Sequence, residues 1–176
     1  MTIHAIVQIR SNSIRLPNKA LMKIKNQTII EILLKRLSNS RKVDEIIIST
    51  TNNNSDDFLA KKIKELGYKV FRGSEKDVLD RIYKTAKLFK TNTIVRITGD
   101  CPLIDPNILD NMIQLYLSTD SDYVSDTTPP TFPDGLDVEV FSFKSLQIAH
   151  NESTKAYDRE HVTPYIINND FFKKKY

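Results

Sequence analysis

The sequence is short of cysteine and of long apolar runs, and each shortage excludes a class of protein. Cys101 is the single cysteine among 176 residues, which excludes a disulfide framework and a cysteine-based zinc site. No apolar run approaches the roughly 18 residues of a membrane-spanning helix. The first residues also lack the charged start, long apolar stretch and cleavage site of a secretory signal. We therefore expect a cytoplasmic protein without a membrane partner.

The length predicts one domain over residues 1–176. The chain is 40% hydrophobic and 27% charged, so it can bury a core and is not disordered by composition. The net charge is +4, from 26 basic against 22 acidic residues. An anionic ligand would explain this excess, and so would a lysine-rich solvated surface. No basic stretch alternates with exposed aromatic residues, so we do not expect nucleic acid as a partner.

Strand-like and helix-like segments alternate along most of the chain. Predicted strands cover 3–9, 44–50, 68–73, 93–100, 122–126 and 136–143, and predicted helices cover 29–40, 55–67, 77–89 and 105–118. This alternation, with short connections, predicts an α/β fold: three α/β/α layers around a mostly parallel sheet. The proline-rich segment "TTPPTFPDG" is predicted to be a loop over one end of that sheet.

The loop after the first strand, "QIRSNSIRLPNKAL", contains three cations and no glycine. Loops at this place often hold phosphate through glycine-rich backbone. Here Arg10, Arg15 and Lys19 could bind a triphosphate with their side chains instead, held in position by Pro17. The alternative is a solvated loop that is basic by chance.

The segment "RITGDCPLID" brings an aspartate to the tip of a central strand. Asp100 there suits Mg²⁺, which takes few protein carboxylates together with phosphate oxygens and water. The alternative role, a cap for the following helix, is already filled by Asp105. We expect Cys101 to be a small buried residue rather than a nucleophile.

Two later segments carry further candidates. In "FPDGLDVEVF" a strand would put Asp137 and Glu139 on one face, where they could bind metal or sugar hydroxyls or simply face solvent. In "YDREHVTPYI" we predict Arg159 near a helix N-terminus, where it could meet an anionic substrate group. His161 is expected to be structural.

Together, "RSNSIRLPNKAL", "FRGSEKDVLDRIY", "RITGDCPLIDP", "FPDGLDVEVF" and "REHVTPYI" resemble the SpsF-like cytidylyltransferases of spore-coat and surface polysaccharide synthesis. That family is related to the CMP-sialic acid and CMP-Kdo synthetases. The resemblance implies the nucleotide-diphospho-sugar transferase (GT-A-like) fold, and transfer of a nucleotidyl group from CTP to a sugar with release of pyrophosphate. A homodimer is a further expectation.

The resemblance also implies roles for individual residues. The first loop would hold the triphosphate and Asp100 the Mg²⁺. As the second metal ligand in this chain we expect Asp137, on its position and not on the resemblance. The residues expected near the nucleotide are Gln8, Ile9, Arg10, Ser13, Arg15, Lys19, Thr50, Arg72, Ser74, Thr98 and Gly99. The residues expected near the sugar are Asp134, Asp137, Glu139 and Arg159.

The chain departs from the family pattern at two places. The usual Ala-Arg and Gly-Ser of the first loop are Ile9-Arg10 and Asn12-Ser13 here, and asparagine tolerates left-handed backbone less freely than glycine. Relatives also continue to a late aspartate motif that supplies a second metal ligand. Either Asp137 and Glu139 complete the metal site, or the chain is a shortened, non-catalytic nucleotide- or sugar-binding domain.

Overall fold

A computed structural model describes residues 1–12 and 16–176. Its main sheet has seven strands in the order β5-β4-β1-β6-β8-β7-β9, and a separate two-stranded ribbon pairs β2 with β3. The strands are β1 (Ile3–Gln8), β2 (Lys23–Ile24), β3 (Gln27–Thr28), β4 (Glu45–Thr51), β5 (Lys69–Gly73), β6 (Thr93–Thr98), β7 (Tyr123–Ser125), β8 (Glu139–Ser142) and β9 (Lys174–Lys175). The helices are α1 (Ile29–Leu37), α2 (Asp57–Glu65), α3 (Val78–Leu88), α4 (Pro106–Ser118), α5 (Phe143–Glu152), α6 (Ala156–His161) and α7 (Pro164–Ile167).

The sheet is parallel where strands and helices alternate and mixed beyond β6. Strands β5, β4, β1 and β6 pair in parallel. Strand β8 runs antiparallel to both β6 and β7, while β9 runs parallel to β7. The prediction of a mostly parallel sheet is confirmed. Because parallel strands end at one edge, the segments after β1, β4, β5 and β6 all meet there.

Local sequence signals explain where the helices begin. The Thr28 hydroxyl oxygen accepts a hydrogen bond from the Glu31 backbone N–H, and the Glu31 carboxylate accepts one from the Thr28 N–H, so α1 begins with a capping box. Asp105 accepts from the N–H groups of Asn107 and Ile108, with Pro106 in the first helical position of α4. The predicted cap at Asp105 is confirmed.

Two apolar cores lie on opposite faces of the sheet. Along β1 the side chains of Ile3, Ala5 and Val7 join the core under α1, α2 and α4, whereas Ile6 joins the core under α3, α5 and α7. This alternation is the period of two that a strand imposes, and it gives the predicted three layers.

Three local predictions are wrong. The segment predicted as a strand over 136–143 becomes one only at Glu139, so Asp137 precedes the strand and shares no strand face with Glu139. Arg159 lies in the last turn of α6 rather than near its N-terminus. The third wrong prediction is the Ser/Asp cap that the start of "SDDFLAKKIKELG" suggests for α2: Asp56 precedes the helix, but its carboxylate bonds elsewhere. Among the described residues no helix is long and apolar enough to span a membrane.

Candidate active site

A polar cavity of about 350 Å³ opens where the parallel strands end. Its wall combines the ends of β1 and β6 with residues from α3 and α6. The lining residues are Gln8, Ile9, Arg10, Lys19, Val78, Arg81, Thr98, Gly99, Asp100, Glu160 and His161. Seven of the predicted site residues therefore share one cavity: Gln8, Ile9, Arg10, Lys19, Thr98, Gly99 and Asp100.

The cationic loop brings two of its three predicted cations into this cavity. Arg10 lies two residues after the end of β1 and pairs with Glu75, with 3.5 Å between Nη1 and Oε1. Lys19 begins a short 3₁₀ turn, preceded by Asn18 at φ 57°, a left-handed conformation that asparagine tolerates. Arg15 and Ser13 lie outside the described residues, so their predicted roles stay predictions.

Asp100 and Lys19 form the central ion pair of the cavity. The Lys19 Nζ lies 2.8 Å from the Asp100 Oδ2, and the Asp100 side chain is 49% exposed. Partial burial opposes ionisation of Asp100, but the hydrogen bond and charge of Lys19 outweigh it and hold the pKa of Asp100 below its usual value. The carboxylate is therefore charged at neutral pH, in open contact with solvent and next to a mobile cation.

Gly99 lets the strand tip pass unusually close to Ile9. A Cβ at position 99 would lie 2.6 Å from the Ile9 Cδ1, closer than carbon atoms can approach. The Gly99 N–H also donates to the Gln8 carbonyl at 2.8 Å. Glycine is therefore required so that Ile9 can cover the backbone and bring Asp100 beside the first loop.

Arg72 and Ser74 line a second depression, which is more open to solvent than the cavity around Asp100. The Arg72 guanidinium donates to the backbone carbonyls of Thr51 and Asn53 and pairs with Asp57 at 2.7 Å. Thr50 is fully buried and donates to Asp56. The structure thus separates these three predicted nucleotide residues from the cavity that contains Asp100.

Glu139 is an internal residue, which corrects its predicted role at a metal or sugar site. Its carboxylate pairs with Arg96 and accepts hydrogen bonds from the hydroxyls of Tyr123 and Thr163, both at 2.6 Å. Only 8% of Glu139 is exposed, and burial together with Glu139 raises the pKa of Tyr123. Glu139 therefore joins β6, β7, β8 and the start of α7.

Asp137 is the remaining partner for Asp100 from the predicted metal set. It is half-buried, and burial, then the charges of Asp134, Glu139 and Asp100, raise its pKa. Asp134 is exposed on the proline-rich loop. Within residues 1–12 and 16–176, no three histidine, cysteine or acidic side chains form a group that could hold a metal by themselves.

Arg159 is engaged inside the fold instead of facing substrate. Its Nε lies 2.7 Å from Asp77 Oδ2, and its Nη1 donates to the carbonyls of His150 and Ser153. It thereby fastens α6 to the start of α3. Its neighbours Glu160 and His161 line the cavity, although no substrate role was predicted for either.

Two buried charged residues near the cavity, Asp56 and Arg81, were not predicted from the sequence as site residues. The Asp56 carboxylate accepts from the Ser11 N–H at 2.6 Å and the Thr51 N–H at 3.1 Å, which ties the first loop to the end of β4. Burial opposes its ionisation, but hydrogen bonds from the Thr51 hydroxyl, from Ser11 and from the Thr50 hydroxyl lower the pKa of Asp56. Arg81 lies on the buried face of α3 and lines the cavity. The sequence does contain a signal for Arg81: it lies three residues after Val78, on the apolar stripe of the helix, where a charged side chain is unexpected.

Comparisons with known proteins agree with this geometry. A family model described as cytidylyltransferase matches residues 4–175. The chain is 45% identical to the uncharacterized protein MJ1063 of Methanocaldococcus jannaschii, covering 100% of this chain and 72% of that protein. It is 36% identical to the spore coat polysaccharide biosynthesis protein SpsF of Bacillus subtilis, covering 93% and 69%. A solved cytidylyltransferase from Leptospira borgpetersenii superposes with a TM-score of 0.95 at 36% identity, covering 100% and 76%.

Proposed function

The chain belongs to the cytidylyltransferase family, and from this membership we propose that it transfers a cytidylyl group from CTP to a sugar for surface polysaccharide synthesis. In this reaction a hydroxyl or phosphate oxygen of the sugar attacks the α-phosphorus of CTP. The bond between that phosphorus and the bridging oxygen to the β-phosphate breaks, and pyrophosphate leaves with the electron pair.

The observation that carries the proposal is the combination of cations and a charged carboxylate in one cavity. Arg10 and Lys19 enter it from the first loop, and Asp100 enters from the tip of β6. Nucleotidyl transfer needs mainly positioning and neutralisation of charge that builds on the leaving group. Arg10, Lys19 and, by its place in the same loop, Arg15 are suited to stabilise the departing pyrophosphate.

Magnesium is the cofactor that this proposal includes. Asp100 and Asp137 would hold it, and the residues fit, because Mg²⁺ is commonly bound by one or two carboxylates plus substrate phosphates. Repulsion from Asp100 contributes to the raised pKa of Asp137, so the two carboxylates act on each other through their charges. When bound, the ion would supply charge neutralisation at the phosphate oxygens.

Lys19 has a double role in the proposal. In the structure its ammonium neutralises Asp100 at 2.8 Å. A lysine is a compact charge on a flexible stem, so it can turn from Asp100 to phosphate oxygens when nucleotide enters. That exchange would free an Asp100 oxygen at the moment when the triphosphate needs a counter-charge.

The experiment is a pyrophosphate-release screen of CTP, UTP, ATP and GTP against a panel of acidic sugars and sugar phosphates, with Mg²⁺ present or chelated. We expect release with CTP, one class of sugar and Mg²⁺. Asp137→Asn should raise the Mg²⁺ concentration needed for half-maximal rate, whereas an exposed aspartate distant from the cavity, Asp120→Asn, should not.

Binding of CTP without release of pyrophosphate from any sugar would contradict the enzyme and indicate a non-catalytic nucleotide-binding domain. Equal rates with chelated Mg²⁺ would contradict the metal part alone. The proposal also includes a cytoplasmic location and a homodimer. Fractionation and light scattering are the measurements for these two points.

A further inference from the structure

Arg81 is a buried guanidinium that has no carboxylate partner in the described part of the chain. Only 3% of the residue is exposed. Its Nη1 donates to the Ser74 carbonyl at 2.6 Å, while its Nε has no hydrogen-bond partner among the residues that the structure describes. No described carboxylate oxygen lies within 4.0 Å of the guanidinium, and residues 13–15 (Ser-Ile-Arg) include no acid that could supply one.

The nearest acids are already engaged by other groups. Asp56 accepts from Ser11 and Thr51, and Glu75 pairs with Arg10 and accepts from Asn53. Burial, followed by the positive charge of Arg10, lowers the pKa of Arg81 to about 10. Arg81 is still a cation at neutral pH, in a place where the protein alone compensates its charge incompletely.

The backbone around Arg81 is shaped to keep it there. Gly73, at the end of β5, leaves room for the side chain, since a Cβ at that position would lie 3.0 Å from the Arg81 Cγ. Arg81 also lines the same cavity as Arg10 and Lys19. A buried charge without a partner is costly, so a fold that holds one against a cavity is arranged for an anion that enters it.

We propose that Arg81 is a phosphate-binding residue of the nucleotide site, and that a phosphate of the bound nucleotide supplies its missing counter-charge. The inference rests on the proposed function and adds a cation from α3 to those of the first loop. A phosphate fits better than the pyrimidine ring or the ribose, because those groups offer hydrogen-bond acceptors but no negative charge.

The test measures binding of CTP, inorganic pyrophosphate and cytidine to the full chain by calorimetry, for the unmodified protein and for Arg81→Met and Arg81→Lys. We expect Arg81→Met to weaken CTP and pyrophosphate binding by about 10- to 100-fold, the range for a hydrogen bond to a charged group, and to leave cytidine within about twofold. Arg81→Lys should retain part of the affinity. The control Lys87→Met removes an exposed cation from the same helix and should change nothing.

Thermal unfolding without ligand gives a second readout. Methionine keeps the apolar stem and removes the uncompensated charge, so Arg81→Met should unfold at the same temperature as the unmodified chain or higher. A markedly lower temperature for both Arg81→Met and Arg81→Lys would overturn the proposal in favour of a structural role.

Three binding results separate this inference from the proposed function. Unchanged CTP affinity in Arg81→Met would overturn the inference and leave the proposed function intact. Equal losses for cytidine and CTP would also overturn it, in favour of a contact with the base or ribose. No CTP binding by the unmodified chain would count against the proposed function itself.

Discussion

Two ion pairs, one inside strand β6 and one just beyond its end, differ in burial and in their further hydrogen bonds. Arg96 and Glu139 lie within the sheet, and each side chain is 10% exposed. Lys19 and Asp100 lie at the rim of the cavity, where the side chains are 26% and 49% exposed. The internal pair is completed by hydroxyls from Tyr123 and Thr163, whereas the rim pair is open to solvent.

This difference separates a charge that stabilises the fold from a charge that can change partners. An internal pair with further hydrogen bonds is costly to break, because removing one member leaves the other buried without a partner. A half-exposed pair contributes little to stability, since water and salt replace the interaction at small cost. Asp100 and Lys19 can therefore exchange each other for ligands, and Glu139 cannot.

The largest expected effect is on the internal pair. Glu139→Gln should lower the free energy of unfolding by about 3–5 kcal/mol, because Arg96 loses its counter-charge inside the protein. Urea denaturation followed by circular dichroism measures this change. The double variant Glu139→Gln/Arg96→Gln should lose less than the sum of the two single variants. Additive losses would show that the two side chains are not coupled.

The next effect is on the rim carboxylate. Asp100→Asn keeps the shape of the side chain and removes its charge, so Mg²⁺-dependent pyrophosphate release should fall by about 10²–10³-fold, as for loss of a transition-state electrostatic contact. Its free energy of unfolding should stay within about 1 kcal/mol of the unmodified chain. Near-normal pyrophosphate release by Asp100→Asn, or a stability loss like that of Glu139→Gln, would contradict the distinction between the two ion pairs.

Arg10 should show a smaller effect that depends on the ligand. Its pair with Glu75 is partly exposed, like the Lys19–Asp100 pair, so it too should exchange its partner for phosphate. Arg10→Met should weaken CTP binding by about 1.5–3 kcal/mol and CMP binding much less, since CMP lacks the β- and γ-phosphates. The control is Arg41→Met, which removes an exposed arginine from the segment that precedes the start of β4. Equal losses for CTP and CMP would show that Arg10 does not contact the leaving group.

The smallest effect is a shift in titration. Burial raises the pKa of Asp100 and Lys19 is the main group that lowers it, so Lys19→Met should raise that pKa, with only the hydrogen bonds from Thr98 and the backbone left to oppose burial. Because the pKa of Asp100 is lower in the folded than in the unfolded chain, this pair stabilises the fold at pH values above the unfolded-state pKa of Asp100. That contribution disappears as the pH falls through the folded-state pKa. Carboxyl NMR titration of both proteins measures the shift, and an unchanged Asp100 midpoint would contradict it.

The sequence predicted the parallel half of the fold because the signals there are local. The apolar periods of β1 and α1, the cap at Asp105 and the glycine before Asp100 depend on neighbours in the chain. The cavity follows from topology, since parallel strands end together. Arg10, Lys19 and Asp100 could therefore be grouped before any coordinates were known.

The errors concern side chains whose partners are far away in sequence. Glu139 was expected at a metal or sugar site because strand alternation cannot tell a carboxylate that faces solvent from one that meets Arg96, 43 residues earlier. Arg159 meets Asp77 across 82 positions, and Asp56 meets Ser11 across 45. Sequence patterns indicate which residue types could bind ligands but do not show which are already satisfied by the fold.

The close approach of Ile9 to Gly99 constrains how this protein can evolve. The Ile9 side chain occupies the space that a Cβ at position 99 would need. A change from glycine is therefore accessible only after residue 9 has become smaller, while the reverse order passes through a clashing intermediate. Positions 9 and 99 are therefore coupled although they are 90 residues apart in the sequence, and substitutions at the two positions have to occur in a fixed order.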